Sequence, residues 1–237
     1  MPRPANATLV CLAALALTAT GCFKLSRTSP PVELYVLGGA RAGLQDTTAI
    51  SRAGLAIGLR RLDLSPYLST LAIVVRRADN EIVTTGFHRW AESPSAGLNR
   101  AVSGYLALAP GIRSVDVAPW PVRSEHDYLV QLHVLHLEGV TTADPRAREG
   151  AAQFLARWEI IHPGDGALAA RGTTDFRSTD WVIDDYAGLV TRLDRGLVIL
   201  VQDLVACLAR LGPAAPTERA AESGAAERAP ALDCTAR

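Results

Sequence analysis

The sequence predicts an α+β fold: an antiparallel or mixed β-sheet of about 6–8 strands with two helices packed on one face. Short runs with an apolar residue at every second position recur from residue 32 to residue 177. Two stretches, one central and one near the end, switch to the helical spacing of three and four residues. The runs alternate cleanly enough to leave one face wet and one buried, which is the habit of antiparallel sheets.

The elements follow in order. Val32 to Leu37 is the first strand. Leu55, Ile57 and Leu59 then alternate with Gly54, Ala56 and Gly58, so one face is bulky and the other small enough for a close approach. Pro66 interrupts the chain. Leu71, Ile73 and Val75 give a strand, and Asp79-Asn80 turns it into Ile82–Phe87 as a hairpin. Ser93-Pro94 is an N-cap followed by an N1 proline. Leu98, Ala101, Val102, Tyr105, Leu106 and Ala109 continue it as a helical stripe, which Pro110-Gly111 stops.

Strands then resume with Val115–Val117 and a long run from Asp127 to Gly139. Tyr128, Val130, Leu132 and Val134 share one parity, but Leu135 and Leu137 carry the other, so a β-bulge is expected near 134–135. Ala152, Phe154, Ala156, Trp158 and Ile160 form the next alternating run, and Ala167 to Arg177 is its partner after the turn at Pro163–Gly166. The last element runs from Ile183 to Leu211, with Leu189, Leu193, Leu197, Leu200, Leu204 and Leu208 on one stripe. At 1.5 Å per residue it is about 43 Å long, enough to cross several strands. Gly212-Pro213 ends it.

Composition narrows the function. The 237 residues carry 24 basic and 24 acidic side chains, a net charge of zero, which removes the basic surplus that nucleic-acid binding needs. Apolar residues make up 49% and charged ones 20%, too apolar for a wholly disordered chain.

The ends read differently from the middle. Arg3 and the uncharged run Ala7–Thr20 form a signal peptide over 1–21, too short for the ~30 Å hydrocarbon core of a bilayer. The run ends in Gly21-Cys22, which resembles a bacterial lipobox with Ala19 where Leu is usual. Cys22 is therefore the expected lipidation site, and secretion without a lipid is the alternative. Phe23 follows, not the Asp that retains enteric lipoproteins at the inner membrane, so the outer membrane is favoured. Residues 22–31 read as a tether, 32–212 as the folded domain and 213–237, rich in Ala, Pro, Glu and Arg, as a disordered tail.

The residue types that carry chemistry form no recognisable constellation. There is no G-x-S-x-G, P-loop, G-x-G-x-x-G or H-E-x-x-H pattern. His133 and His136 are three apart and point to opposite faces of a strand unless the bulge intervenes, so no metal is expected, nor any cofactor. Asp184-Asp185 reads as acidic residues complementing a helix N-terminus. Cys207 flanks the apolar stripe and reads as a buried thiol, with a disulfide to Cys234 as the alternative. Trp158 shares the buried parity of Phe154 and Ile160 and reads as core.

Several ordered motifs together resemble the ABC-type transport auxiliary lipoproteins. They are Glu33-Leu34-Tyr35-Val36-Leu37, then Leu62-Asp63-Leu64-Ser65-Pro66-Tyr67-Leu68 leading to Ile73-Val74-Val75-Arg76. His88-Arg89-Trp90-Ala91-Glu92 follows, before a helix carrying Asn99-Arg100, and then come Ala156-Arg157-Trp158 and Asp185-Tyr186. Ser69-Thr70 stands where the family tends to have Asp-Arg. The resemblance implies a non-enzymatic periplasmic lipoprotein that docks a mammalian-cell-entry (MCE) domain protein or ABC-transporter subunits in lipid transport between membranes. Homo-oligomerisation stays open. Trp90, Ala91 and Glu92 are the first candidates for a partner-binding segment, against packing of Trp90 into a folded corner. The rival reading is a secreted hydrolase or small-ligand carrier, which would need a pocket with convergent titratable groups.

Overall fold

A computed structural model describes residues 29–39, 54–121, 124–213 and 230–235. The signal peptide over 1–21 and residues 22–28 of the tether over 22–31, Cys22 among them, lie outside these residues. Among the described residues the strands are β1 (Glu33–Tyr35), β2 (Leu55–Leu59), β3 (Asp63–Leu64), β4 (Ala72–Arg77), β5 (Glu81–Trp90), β6 (Ile112–Val117), β7 (Tyr128–Thr141), β8 (Glu149–Ile161), β9 (Leu168–Val182) and β10 (Leu232–Asp233). Among the same residues the helices are α1 (Pro94–Ala107) and α2 (Tyr186–Leu211), with a 3-10 turn at Pro66–Leu68. The class is α+β, with ten strands in place of the 6–8 expected. The excess comes from two-residue strands, β3 and β10, too short to show a period.

The main path of the sheet is β1-β5-β4-β7-β8-β9-β10. β4–β5, β7–β8 and β8–β9 are antiparallel, as expected of hairpins. β1–β5, β4–β7 and β9–β10 are parallel, so the sheet is mixed. β2, β3 and β4 succeed one another along the edge of β7 that β8 leaves free. β6 extends the sheet beyond β2.

The anticipated bulge lies in β7, where the register with β8 shifts between Val134 and His136. Its spare carbonyl is not orphaned. Leu135 O accepts from the Ser65 hydroxyl at 3.2 Å and from the Tyr67 hydroxyl at 3.0 Å, both brought there by the turn after β3. The Ser-Pro-Tyr motif is thus a plug that satisfies the carbonyl the bulge frees.

Both helices form for the reasons their sequences state. The Ser93 hydroxyl accepts from Ala96 N at 3.4 Å and Pro94 opens α1. The Asp185 carboxylate accepts from Gly188 N at 2.9 Å and opens α2, three residues later than expected because Ile183 still belongs to the turn. Leu189, Leu193, Leu197, Leu200, Leu204 and Leu208 of α2 are buried against the same face as Phe154, Trp158 and Ile160. Each such side chain contributes roughly 1.5–3 kcal/mol on burial. Helix and sheet come close because Gly196 has no side chain: a Cβ there would stand 2.8 Å from Phe154 Cβ.

Two readings of the C-terminal region need correction. Cys207 is not a free thiol but forms a disulfide with Cys234. The two stand 27 positions apart across a stretch rich in Ala, Pro, Glu and Arg that shows no period, so the sequence offered the disulfide only as the alternative. Leu232–Asp233, within the stretch read as a disordered tail, pairs in parallel with Ala170–Arg171 of β9. The covalent link supplies the proximity that two strand residues could not hold alone.

Candidate functional site

The motif His88–Glu92 ends β5 and opens α1, and the structure makes it a corner that grips the N-terminal strand. β1 pairs with it residue for residue: Glu33 with His88, Leu34 with Arg89, Tyr35 with Trp90. Ala91 N donates to Tyr35 O at 2.8 Å, and Trp90 N to Leu71 O at 2.7 Å. Trp90 is only 5% exposed and belongs to the core, so it packs inward and cannot itself be a surface anchor. Ala91 is exposed and Glu92 half-buried. Glu92 is held by Arg100 of α1 at 2.6 Å, and Arg100 also donates to Leu37 O at 3.0 Å. Gly38 N donates to Asp194 Oδ1 of α2 at 2.8 Å, and Tyr105 of α1 donates to the other oxygen. Arg100 and Asp194 therefore fasten the chain just after β1 to both helices.

The aromatic side of the corner unites three of the sequence motifs. The Tyr35 hydroxyl donates to Glu33 at 2.5 Å and lies 3.2 Å from His88 Nδ1. His88 stacks on Tyr186 with centroids 4.1 Å apart. Trp181 meets Tyr186 edge-on, and its indole N–H donates to Asp185 O at 2.8 Å. Burial, then the hydrogen bond and charge of Glu33, push the Tyr35 phenol up to about 12. Burial and the nearby Asp184 raise the Tyr186 phenol. Asp184-Asp185 opens the helix as expected: Asp185 caps α2, and Asp184 turns the chain with φ +73°.

A second polar cluster, not anticipated from the sequence, sits on the sheet face away from the helices. Glu138 of β7 has a fully buried side chain, and its Oε1 accepts from Arg76 Nε of β4 at 2.8 Å. His136 Nδ1 lies 2.9 Å from that oxygen, and Arg76 Nη2 donates to the Tyr67 hydroxyl at 3.1 Å. Glu138 Oε2 has no partner among the described residues. Burial and Glu138 raise the Tyr67 phenol well above its ordinary value, against the opposing pull of Arg76. The Arg76 and Glu138 charges neutralise each other, and the Tyr67 hydroxyl, 3.1 Å from His136 Nδ1, also donates to the bulge carbonyl of Leu135. The available signal was weak: two polar residues, His136 and Glu138, alternating with Leu137 after a bulge.

The bulge also reorients the histidines. His133 opposes Arg157 and His136 opposes Leu155 on β8, so both point to one face rather than to opposite faces. They still separate, since His133 pairs with Asp63 at 3.2 Å and His136 with Glu138. Among the described residues no three His, Cys, Asp or Glu side chains converge on a metal position. No described helix is long and apolar enough to cross a membrane. Near the β7–β8 turn an open groove of about 460 Å³ is lined by Asp79, Thr141, Glu149 and Arg177 among others. Trp158 is fully buried, as its parity predicts.

The fold has relatives of known structure. A Xanthomonas campestris protein of the DUF330 family matches with a TM-score of 0.61 at 14% identity, over 81% of this chain and 100% of its own. A second, uncharacterised protein matches with a TM-score of 0.57 at 17% identity, over 76% of this chain and 99% of its own. At these identities the likeness speaks for the fold alone. No curated protein matches the chain. The family model of the ABC-type transport auxiliary lipoprotein component matches residues 35–205, from the Tyr35 that the corner grips to the last turns of α2. The chain belongs to the ABC-type transport auxiliary lipoprotein family.

Proposed function

We propose that this protein is a non-enzymatic subunit of an ABC-transporter or MCE-type system that moves lipid between membranes. It is tethered through Cys22 to the periplasmic face of the outer membrane. The family match over residues 35–205 carries the reading. The Gly21-Cys22 motif after an apolar run supports the anchor, and Phe23 in the second position supports the outer membrane. Such a subunit holds no energy source, so it aids transport by binding: it joins its membrane to a partner or holds a passing lipid.

Affinity in such docking comes from a few well-placed side chains. In the segment Trp90-Ala91-Glu92 the accessible part is Ala91 and Glu92, because Trp90 is buried. Its contribution to docking is the shape of the corner. The test is a pull-down of the lipoprotein from detergent-solubilised envelopes, with mass spectrometry of the captured proteins. An MCE-domain or ABC-transporter protein should be enriched over an unrelated lipoprotein. Reproducible absence of both, with hydrolysis of an ester or glycan panel by the pure domain, would favour the hydrolase reading.

A further inference from the structure

The face of β1 turned away from the core is apolar and uncovered. Tyr35 points inward to His88 and Tyr186, so strand alternation turns Val32, Leu34 and Val36 outward. They are 52%, 63% and 54% exposed. Among the described residues only one other large hydrophobic side chain, Val182, is more than half exposed. Phe87, 41% exposed, lies one residue before His88, the partner of Glu33, which sets it beside Val32. Arg89, also exposed, stands beside Leu34. A strand that buries one face normally carries polar residues on the other, and here three consecutive outward positions are Val, Leu and Val.

The position of this row along the chain says what covers it. Only residues 23–31 separate Cys22 from Val32, and nine residues span at most about 30 Å. The row is therefore the part of the domain nearest in sequence to an acylated Cys22, held close to the bilayer whatever way the domain turns. The same nine residues contain Lys24 and Arg27, and Arg89 sets a positive charge beside Leu34 on the neighbouring strand. An exposed apolar row with an arginine beside it, next in sequence to a basic segment, suits the boundary between headgroups and acyl chains in a membrane with anionic lipid.

We propose that Val32, Leu34, Val36 and Phe87 form a membrane-contact surface that seats the domain against the bilayer in which its own Cys22 is anchored. The inference rests on the anchor reading above. It makes the protein a two-point attachment, acyl chains plus an interfacial strand, in a fixed orientation on the membrane.

The test uses the full chain, acylated in cells and reconstituted into phosphatidylethanolamine–phosphatidylglycerol vesicles with spin-labelled acyl chains. An environment-sensitive fluorophore is placed at Leu34→Cys or, as a control near the opposite sheet edge, at Leu168→Cys. Both positions are exposed, so neither change disturbs the core. Quenching by the lipid spin label at position 34, at least three-fold stronger than at 168, is expected. Equal, weak quenching at both sites of an acylated protein would overturn the contact surface and leave the anchor intact. A blue shift at 34 without lipid quenching would overturn it in favour of a second copy or another protein. Mass spectrometry of the N-terminal peptide reports acylation separately, and an unmodified Cys22 would overturn the anchor and this inference together.

Discussion

Trp158 shows how one residue depends on another's absence. A Cβ at Gly172 on β9 would stand 2.2 Å from Trp158 Cζ2, so the indole fills space that only glycine leaves. Its N–H donates to Thr174 at 3.2 Å, and Thr174 donates to Asp203 of α2 at 2.6 Å. Trp158→Ala should lower stability by about 3–5 kcal/mol in denaturant melts, and an unchanged midpoint would mean the side chain is not core. The Arg76–Glu138 pair is less symmetric, since the arginine is 22% exposed and the glutamate not at all. Arg76→Ala leaves a buried carboxylate short of its main partner and should cost about 3 kcal/mol, the lower end of the range for breaking buried pairs. The tyrosines set an alkaline limit. Tyr35 ionises near 10.0 when free and is raised to about 12 in the fold. Its contribution is complete below pH 10 and is lost as pH climbs through 12. Stability should therefore fall across that window, less steeply in Tyr35→Phe, as followed by urea melts at stepped pH.

At the scale of elements, long periodic segments were legible and short ones were not. α2 and the β7–β9 meander declared themselves because each buries one full face, and the break in parity at Leu135 located the bulge. β3 and β10 hold two residues each, which no period can reveal. The Arg76–Glu138 cluster was hidden because its partners lie 62 positions apart. Only the parallel register of Val75 with Gly139 aligns them. Trp90 pointing inward was foreseeable in part, as it shares parity with His88, but the helix that covers it is set by tertiary packing. The disulfide belongs to this scale too. Closing a loop of 27 positions is worth about 2–4 kcal/mol in the chain-entropy account. A Cys207→Ser, Cys234→Ser double variant should lose about that much stability. Hydrogen exchange should then speed up at the backbone amide of position 234, which in the native chain donates to Arg171 O, while the β8–β9 pairing stays protected.

For the whole molecule, the sheet carries a different device at each end of its main path: β10 is locked on by a disulfide and β1 is clasped by the corner. The family match begins inside β1, thirteen residues after Cys22, so removing the proposed anchor should leave the fold intact. Cys22→Ala should abolish labelling by a fatty-acid probe and move the protein to the soluble fraction. Its melting temperature, measured on the purified chain, should be unchanged. Label retained in the variant would place the acyl chain elsewhere.

The clasp around β1 also determines how the protein would bear a mechanical load. A pull delivered through the N-terminal segment meets first a strand of three residues, Glu33–Tyr35. Behind it stand the Arg100–Leu37 and Asp194–Gly38 bonds, which reach into both helices. Tension should strip β1 and stop there. For a chain anchored at Cys22, the stretch between anchor and held domain would grow from nine residues to about fifteen, raising its maximum reach from about 30 Å to about 50 Å. The domain would yield length without yielding its core, much as a fuse gives way before the circuit.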